Sequence, residues 1–200
     1  LEFPLWSTGK TWILAGITGL LFFGSVLAHE LAHSVVATFR GIPVYGITLF
    51  VFGGISNMAQ EERYPWVEFV IAIAGPLLSI ILGGVLIGVA YLTFSWSNPV
   101  SIVALTVGWA NLALGIFNLM PGFPLDGGRV LLAIIWGFTG DYRLAMRIVT
   151  RTGQGLAILF IAGSVVWFLN SGEVAHLWML LIGLFLFFAA TSARVDIEHH

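Results

Sequence analysis

Uncharged runs divide the chain into helix-length pieces. From Thr11 to Ala28 there is no charged residue, and the apolar pattern carries on past His33 to about Arg40, which predicts one long helix. Residues 69–125 carry no charge at all, room for two spans of about 20 residues each. Asn98-Pro99, within Ser95-Trp96-Ser97-Asn98-Pro99, is the natural turn between them. Two further spans are predicted at roughly 152–170 and 174–193, parted by Asn170-Ser171-Gly172-Glu173. A shorter apolar helix at about 126–138 falls between the third long span and a basic loop. The predicted fold is an all-α polytopic membrane protein, with about five transmembrane helices plus a short broken helix. Trp12, Trp66, Trp96, Trp136, Trp167 and Trp178 fall near the predicted helix ends, where indoles favour the membrane–water interface.

Residues 41–60 are also uncharged but do not read as a span. Pro43, Gly46, Gly53 and Gly54 interrupt them, and Ile47-Thr48-Leu49-Phe50-Val51-Phe52 is β-branched and aromatic, which favours a strand or small hairpin. The alternative is a distorted sixth helix. Charge separates the two. With five spans and a hairpin, Arg40, Arg63, Arg143, Arg147, Arg151 and Arg194 fall on one side and Lys10 on the other. The arginine side is then cytoplasmic, and the amino terminus lies outside. A sixth span would split the arginines.

Composition supports the membrane reading. Of 200 residues, 58% are hydrophobic and 9% charged, and mean hydropathy is +0.99. A soluble domain of this length is about one-quarter charged, so lipid must solvate much of this surface. A net charge of −2 gives no reason to expect nucleic acid as a partner. Cysteine is absent, so any metal is held by nitrogen and oxygen. The chain begins at Leu1, which suggests native sequence upstream, and His199-His200 resembles a tag remnant. Residues 1–198 are expected to form a single transmembrane core.

The chemistry centres on His29-Glu30-Leu31-Ala32-His33. Histidines four apart share one helix face and can reach one metal ion, while Glu30 on the adjoining face can act as general base toward water there. With this chain's composition the pattern arises by chance in roughly 0.4% of cases. An ionisable cluster inside an apolar helix is a functional site by default; the bland alternative is a hydrogen-bonded polar knot. Two histidines leave a catalytic zinc one protein ligand short. His176 is isolated and Asp141 lies in the basic loop. Asp126 follows Phe117-Asn118-Leu119-Met120-Pro121-Gly122-Phe123-Pro124-Leu125 and precedes Gly127-Gly128. Broken backbone at membrane depth is tolerated where it is packed in protein or lines a polar cavity. Asp126 therefore reads as the third ligand, with an i,i+3 ion pair to Arg129 as the alternative or an additional role.

The motif at 29–33 and the Asn-x-x-Pro-x-x-Pro-Leu-Asp-Gly-Gly at 118–128, in this order, resemble the site-2 protease family of intramembrane metalloproteases. Ala74-Gly75-Pro76-Leu77-Leu78-Ser79 resembles a further family element at the start of the next span. The resemblance is to the compact prokaryotic branch without a PDZ insertion; this stretch is expected to lack the family's first helix and carboxy-terminal CBS domains. It implies one Zn2+ held by His29, His33 and Asp126, Glu30 as catalytic base, and a small sheet at residues 45–58 beside the active site. It also implies hydrolysis of membrane-protein substrates, such as anti-sigma factors or membrane-anchored transcription regulators, in a prokaryotic inner membrane.

Substrate contacts are expected at Asn118, a hydrogen-bond donor or a brace for the broken helix. They are also expected at Ile47, Thr48, Leu49 and Phe50, whose strand edge could hold an unwound segment. The rivals are a zinc transporter, which has no need of a glutamate directly after its first ligand, and a catalytically inactive scaffold.

Overall fold

A computed structural model describes residues 6–42, 44–50, 53–58, 64–93, 98–172 and 177–198, without the side chains of 44–58 and 193–198. In chain order the elements are α1 (Thr8–Phe39), β1 (Val44–Phe50), β2 (Gly53–Met58), α2 (Pro65–Leu92), α3 (Pro99–Asn118), α4 (Asp126–Thr139), α5 (Tyr142–Ser171) and α6 (Leu177–Glu198). Ser95, Trp96, Ser97, Glu173, His176, His199 and His200, all singled out in the sequence, lie outside the described residues.

Helices α1, α2, α3 and α5 are long and apolar enough to cross a membrane, and α6 is apolar over Leu177–Ser192. Large apolar side chains lie bare along them, among them Leu20, Leu92 and Leu159. Such a surface belongs in lipid. The chain is an integral, multi-pass membrane protein.

Local chemistry sets the helix ends. The Ser7 hydroxyl accepts from Lys10 N at 3.4 Å at the start of α1. Gly140 and Gly172, at φ +69° and +68°, end α4 and α5 in the left-handed conformation that glycine adopts without strain. Asp141 accepts from Leu144 N at 2.9 Å and so starts α5 at Tyr142, ten residues before the predicted span. The predicted basic loop is therefore helix. Arg143, Arg147 and Arg151 lie exposed on it while Ala145, Met146 and Val149 are buried, and i,i+4 spacing separates the two sets.

The chain forms two compact units. The first comprises residues 1–61 and 74–117. In it β1 and β2 pair antiparallel, Thr48 opposite Ile55 and Phe50 opposite Gly53, with an irregularity between Val44 and Gly46. Both strands contact α1. Close approach of α2 and α3 depends on small residues: a Cβ at Gly108 would come 3.1 Å from Gly83 O, and one at Gly115 2.9 Å from Pro76 O. Their turn is closed by Ser101 Oγ donating to Thr93 O at 2.6 Å and by Asn98 Oδ1 accepting from Val100 N at 3.0 Å.

The second unit comprises residues 62–73 and 118–200. Its core joins Leu132 of α4 to Ala145, Met146 and Val149 of α5, with Phe123 and Trp136 packed against them. Helix α6 packs along α5, where Gln154 Nε2 donates to Thr191 Oγ1 at 3.3 Å.

Candidate metal centre

Helix α1 is amphipathic in an unusual sense. Most of its surface is bare, yet its buried residues include Ser25, His29, Glu30, His33 and Ser34. His29 and His33 are each 2% exposed and Glu30 8%. One helical turn separates the imidazoles, so they lie one above the other on one face. Their rings stand edge to face, 5.0 Å between centroids at 78°. The two Nε2 atoms are 3.4 Å apart.

That separation has a chemical meaning. Two nitrogens held tetrahedrally at zinc–nitrogen distances of about 2.0–2.1 Å would themselves be about 3.3–3.4 Å apart. The imidazole pair therefore has the bite of two zinc ligands. Helix α2 completes the setting within the same unit. Gly75 faces both reactive nitrogens: a Cβ there would collide with His33 Nε2 and lie 2.7 Å from His29 Nε2. A side chain larger than hydrogen at this position would be driven into both imidazoles. One turn further along α2, Ser79 Oγ lies 2.9 Å from His29 Nδ1, and both residues are buried.

Gly75 and Ser79 belong to the Ala74–Ser79 stretch noted in the sequence, where it is expected at the start of a span. It lies inside α2, which begins at Pro65. The sequence pointed to this stretch but assigned neither residue a part in the site. Their part depends on α1 and α2 packing across 50 positions of chain.

Asp126 is the first residue of α4, in the second unit, and is half-buried. Glycines position it. A Cβ at Gly127 would strike the Leu119 carbonyl, and one at Gly128 would come 2.6 Å from Gly122 O. Gly153 of α5 faces the Phe123 carbonyl with no room for a methyl group, and Phe123 N donates to Val149 O at 3.4 Å. The segment 119–125 is thereby coiled tightly between the start of α4 and α5. Leu125 N donates to Gly122 O at 3.0 Å, and Gly128 N to Leu125 O at 2.9 Å. Arg129, whose ion pair with Asp126 is the alternative reading of that aspartate, also places its Nε 2.8 Å from Glu68 Oε1 in the first turn of α2.

Asn118 is the last residue of α3 and half-buried. Ile47, Thr48, Leu49 and Phe50 lie in β1, and their side chains are outside the described residues. Asp141 serves as the α5 cap. Among the described residues, Asn111 Oδ1 in α3 is a buried side-chain atom with no hydrogen-bond partner, and its Nδ2 donates to Val107 O at 2.9 Å.

Comparison with known proteins gives a consistent result. The profile of peptidase family M50 matches residues 17–98 and 94–162. A Synechocystis protein provisionally named a zinc metalloprotease is 45% identical over 197 residues, covering 96% of this chain and 51% of that protein. A zinc metalloprotease of Methanocaldococcus jannaschii is 35% identical over 181 residues, covering 90% of this chain and 50% of that one. The solved structure of a site-2 protease from the same archaeon aligns with a TM-score of 0.67 at 31% identity, over 92% of this chain and 85% of that chain. This chain spans about half the length of the curated relatives it matches.

Proposed function

The chain belongs to peptidase family M50, and from that premise we propose that it is an intramembrane zinc metalloendopeptidase that hydrolyses peptide bonds of membrane-protein substrates. The observation that carries this reading is the buried imidazole pair, with Nε2 atoms 3.4 Å apart and Gly75 packed against them. His29, His33 and Asp126, the donors of the two sequence motifs, are the set assigned to hold the metal ion. Two imidazoles and a carboxylate are also a donor set of catalytic zinc sites. A zinc ion, when bound, supplies Lewis acidity, polarising a scissile carbonyl and making water a stronger nucleophile near neutral pH.

The protein's own groups do the rest. Glu30 follows the first imidazole directly, so its carboxylate takes the proton from the attacking water and returns it to the leaving amine. Burial of Glu30 keeps bulk water from competing for that proton. The second proton of the water follows the first to the leaving nitrogen, so the products are an ammonium and a carboxylate and Glu30 ends unprotonated as it began. Asn118 donates a hydrogen bond to the substrate or braces the end of α3. The β1 edge at Ile47–Phe50 receives an unwound stretch of substrate by strand addition, satisfying backbone groups that lipid leaves unpaired.

The arginine-rich ends face the cytoplasm of a prokaryotic inner membrane, on the arginine distribution. Substrates of the class of anti-sigma factors or membrane-anchored transcription regulators fit a protease that works at this depth.

The test is Glu30→Gln in detergent-purified protein, with a transmembrane-segment substrate and metal analysis side by side. The expected result is about one zinc per chain retained, with cleavage lowered by ~10²-fold or more. Full cleavage by the variant overturns the mechanism. Zinc transport into liposomes by a protein without proteolytic activity favours the transporter reading.

A further inference from the structure

A nitrogen that gives its lone pair to a metal carries no proton, so a neutral imidazole ligating through Nε2 must carry its proton on Nδ1. That N–H needs an acceptor, especially at membrane depth, where an unsatisfied donor is costly. For His29 the group facing Nδ1 is the Ser79 hydroxyl at 2.9 Å. Ser79 is 1% exposed and His29 2%, so water does not compete at either end. Helical serines commonly bond back to the carbonyl four residues earlier; the described bond of Ser79 instead crosses from α2 to α1.

We propose that Ser79 is a positioning residue for the metal centre: its oxygen accepts from His29 Nδ1–H and so fixes the tautomer and ring angle that turn Nε2 toward the metal. This rests on the metalloprotease reading above. Carboxylates and backbone carbonyls often play this part behind metal-bound histidines, and a hydroxyl differs from both because it can donate as well as accept. Without metal, a hydrogen can sit on His29 Nε2, 3.4 Å from His33 Nε2. When His29 carries it, Nδ1 becomes an acceptor and the Ser79 proton rotates to meet it. The same pair thus stays hydrogen-bonded in both tautomers, and no charge is added to a buried site, where it would be expensive.

The experiment measures zinc affinity by competition with a chromophoric chelator, using detergent-purified wild type, Ser79→Ala and Ser79→Thr. Nitrogen-15 shifts of labelled histidine are recorded on the zinc-loaded samples. Ser79→Ala should weaken zinc binding ~10–100-fold, the range for outer-shell partners of metal ligands, and should loosen the His29 tautomer. Ser79→Thr, which keeps the hydroxyl, should stay within a few-fold of wild type with Nδ1 protonated. Equal zinc affinity in wild type and Ser79→Ala, with Nδ1 protonation unchanged, overturns the role of Ser79 and leaves the metalloprotease reading standing. A wild type that binds no zinc overturns both.

Discussion

Arg129 Nε lies 2.8 Å from Glu68 Oε1, joining the first turn of α4 to the first turn of α2 within the second unit. The Glu68 side chain is 8% exposed and that of Arg129 22%, so the pair is sheltered without being fully dry. Removing one partner of a buried pair leaves the other charge uncompensated and costs ~3–5 kcal/mol. Partial exposure puts this pair near the lower end. Arg129→Ala or Glu68→Gln should therefore lower the unfolding midpoint in detergent clearly. The double variant Glu68→Gln/Arg129→Met, which removes both members of this pair, should recover part of the loss.

Gly75→Ala adds one methyl group against both Nε2 atoms. Zinc affinity should fall by at least ~10-fold, comparable to loss of a ligand-orienting contact. Gly84→Ala and Gly88→Ala lie on the same helix with nothing within 4 Å of the added carbon, and should bind zinc as wild type does. The check is chelator competition on all three.

Asp126→Ala should lower zinc content well below one per chain. Its effect should exceed the ~10–100-fold typical of outer-shell partners, because a ligand itself is lost. Metal analysis by mass spectrometry, before and after dialysis against a weak chelator, reads this directly. Equal retention in variant and wild type would remove Asp126 from the donor set.

Gly153→Ala should destabilise the second unit, since its Cβ would meet the Phe123 carbonyl, which is held by the chain on both sides. Overpacking of this kind costs typically ~1–3 kcal/mol. Gly155→Ala, two residues along α5 with open space around it, should be neutral or slightly stabilising. Thermal unfolding of the pair in one detergent separates the outcomes.

The parts of this protein legible in its sequence are those fixed by short-range periodicity. His29 and His33 had to share a face because a helix repeats every 3.6 residues, and the uncharged runs located α1, α2 and α3. The start of α5 was missed because the charges of Arg143, Arg147 and Arg151 suggested a loop. Their spacing of four keeps them on one side of a helix whose other side is buried. Ser79 and Gly75 were noticed as a pattern but not as builders of the site. Their contacts arise from packing between α1 and α2, and nothing local to either segment encodes that meeting. Gly153 gave no sign for the same reason: its partner, the carbonyl of Phe123, lies in another element.

The glycine surroundings also mark out where protein engineering has room to work. Positions 75, 127, 128 and 153 are closed even to a methyl group, whereas 84, 88, 155 and 163 have nothing within 4 Å. A mutational library aimed at metal preference or substrate range would waste its members at the first set. The second set offers surface handles for labels, cross-linkers or packing against an added helix, leaving the donors where they are.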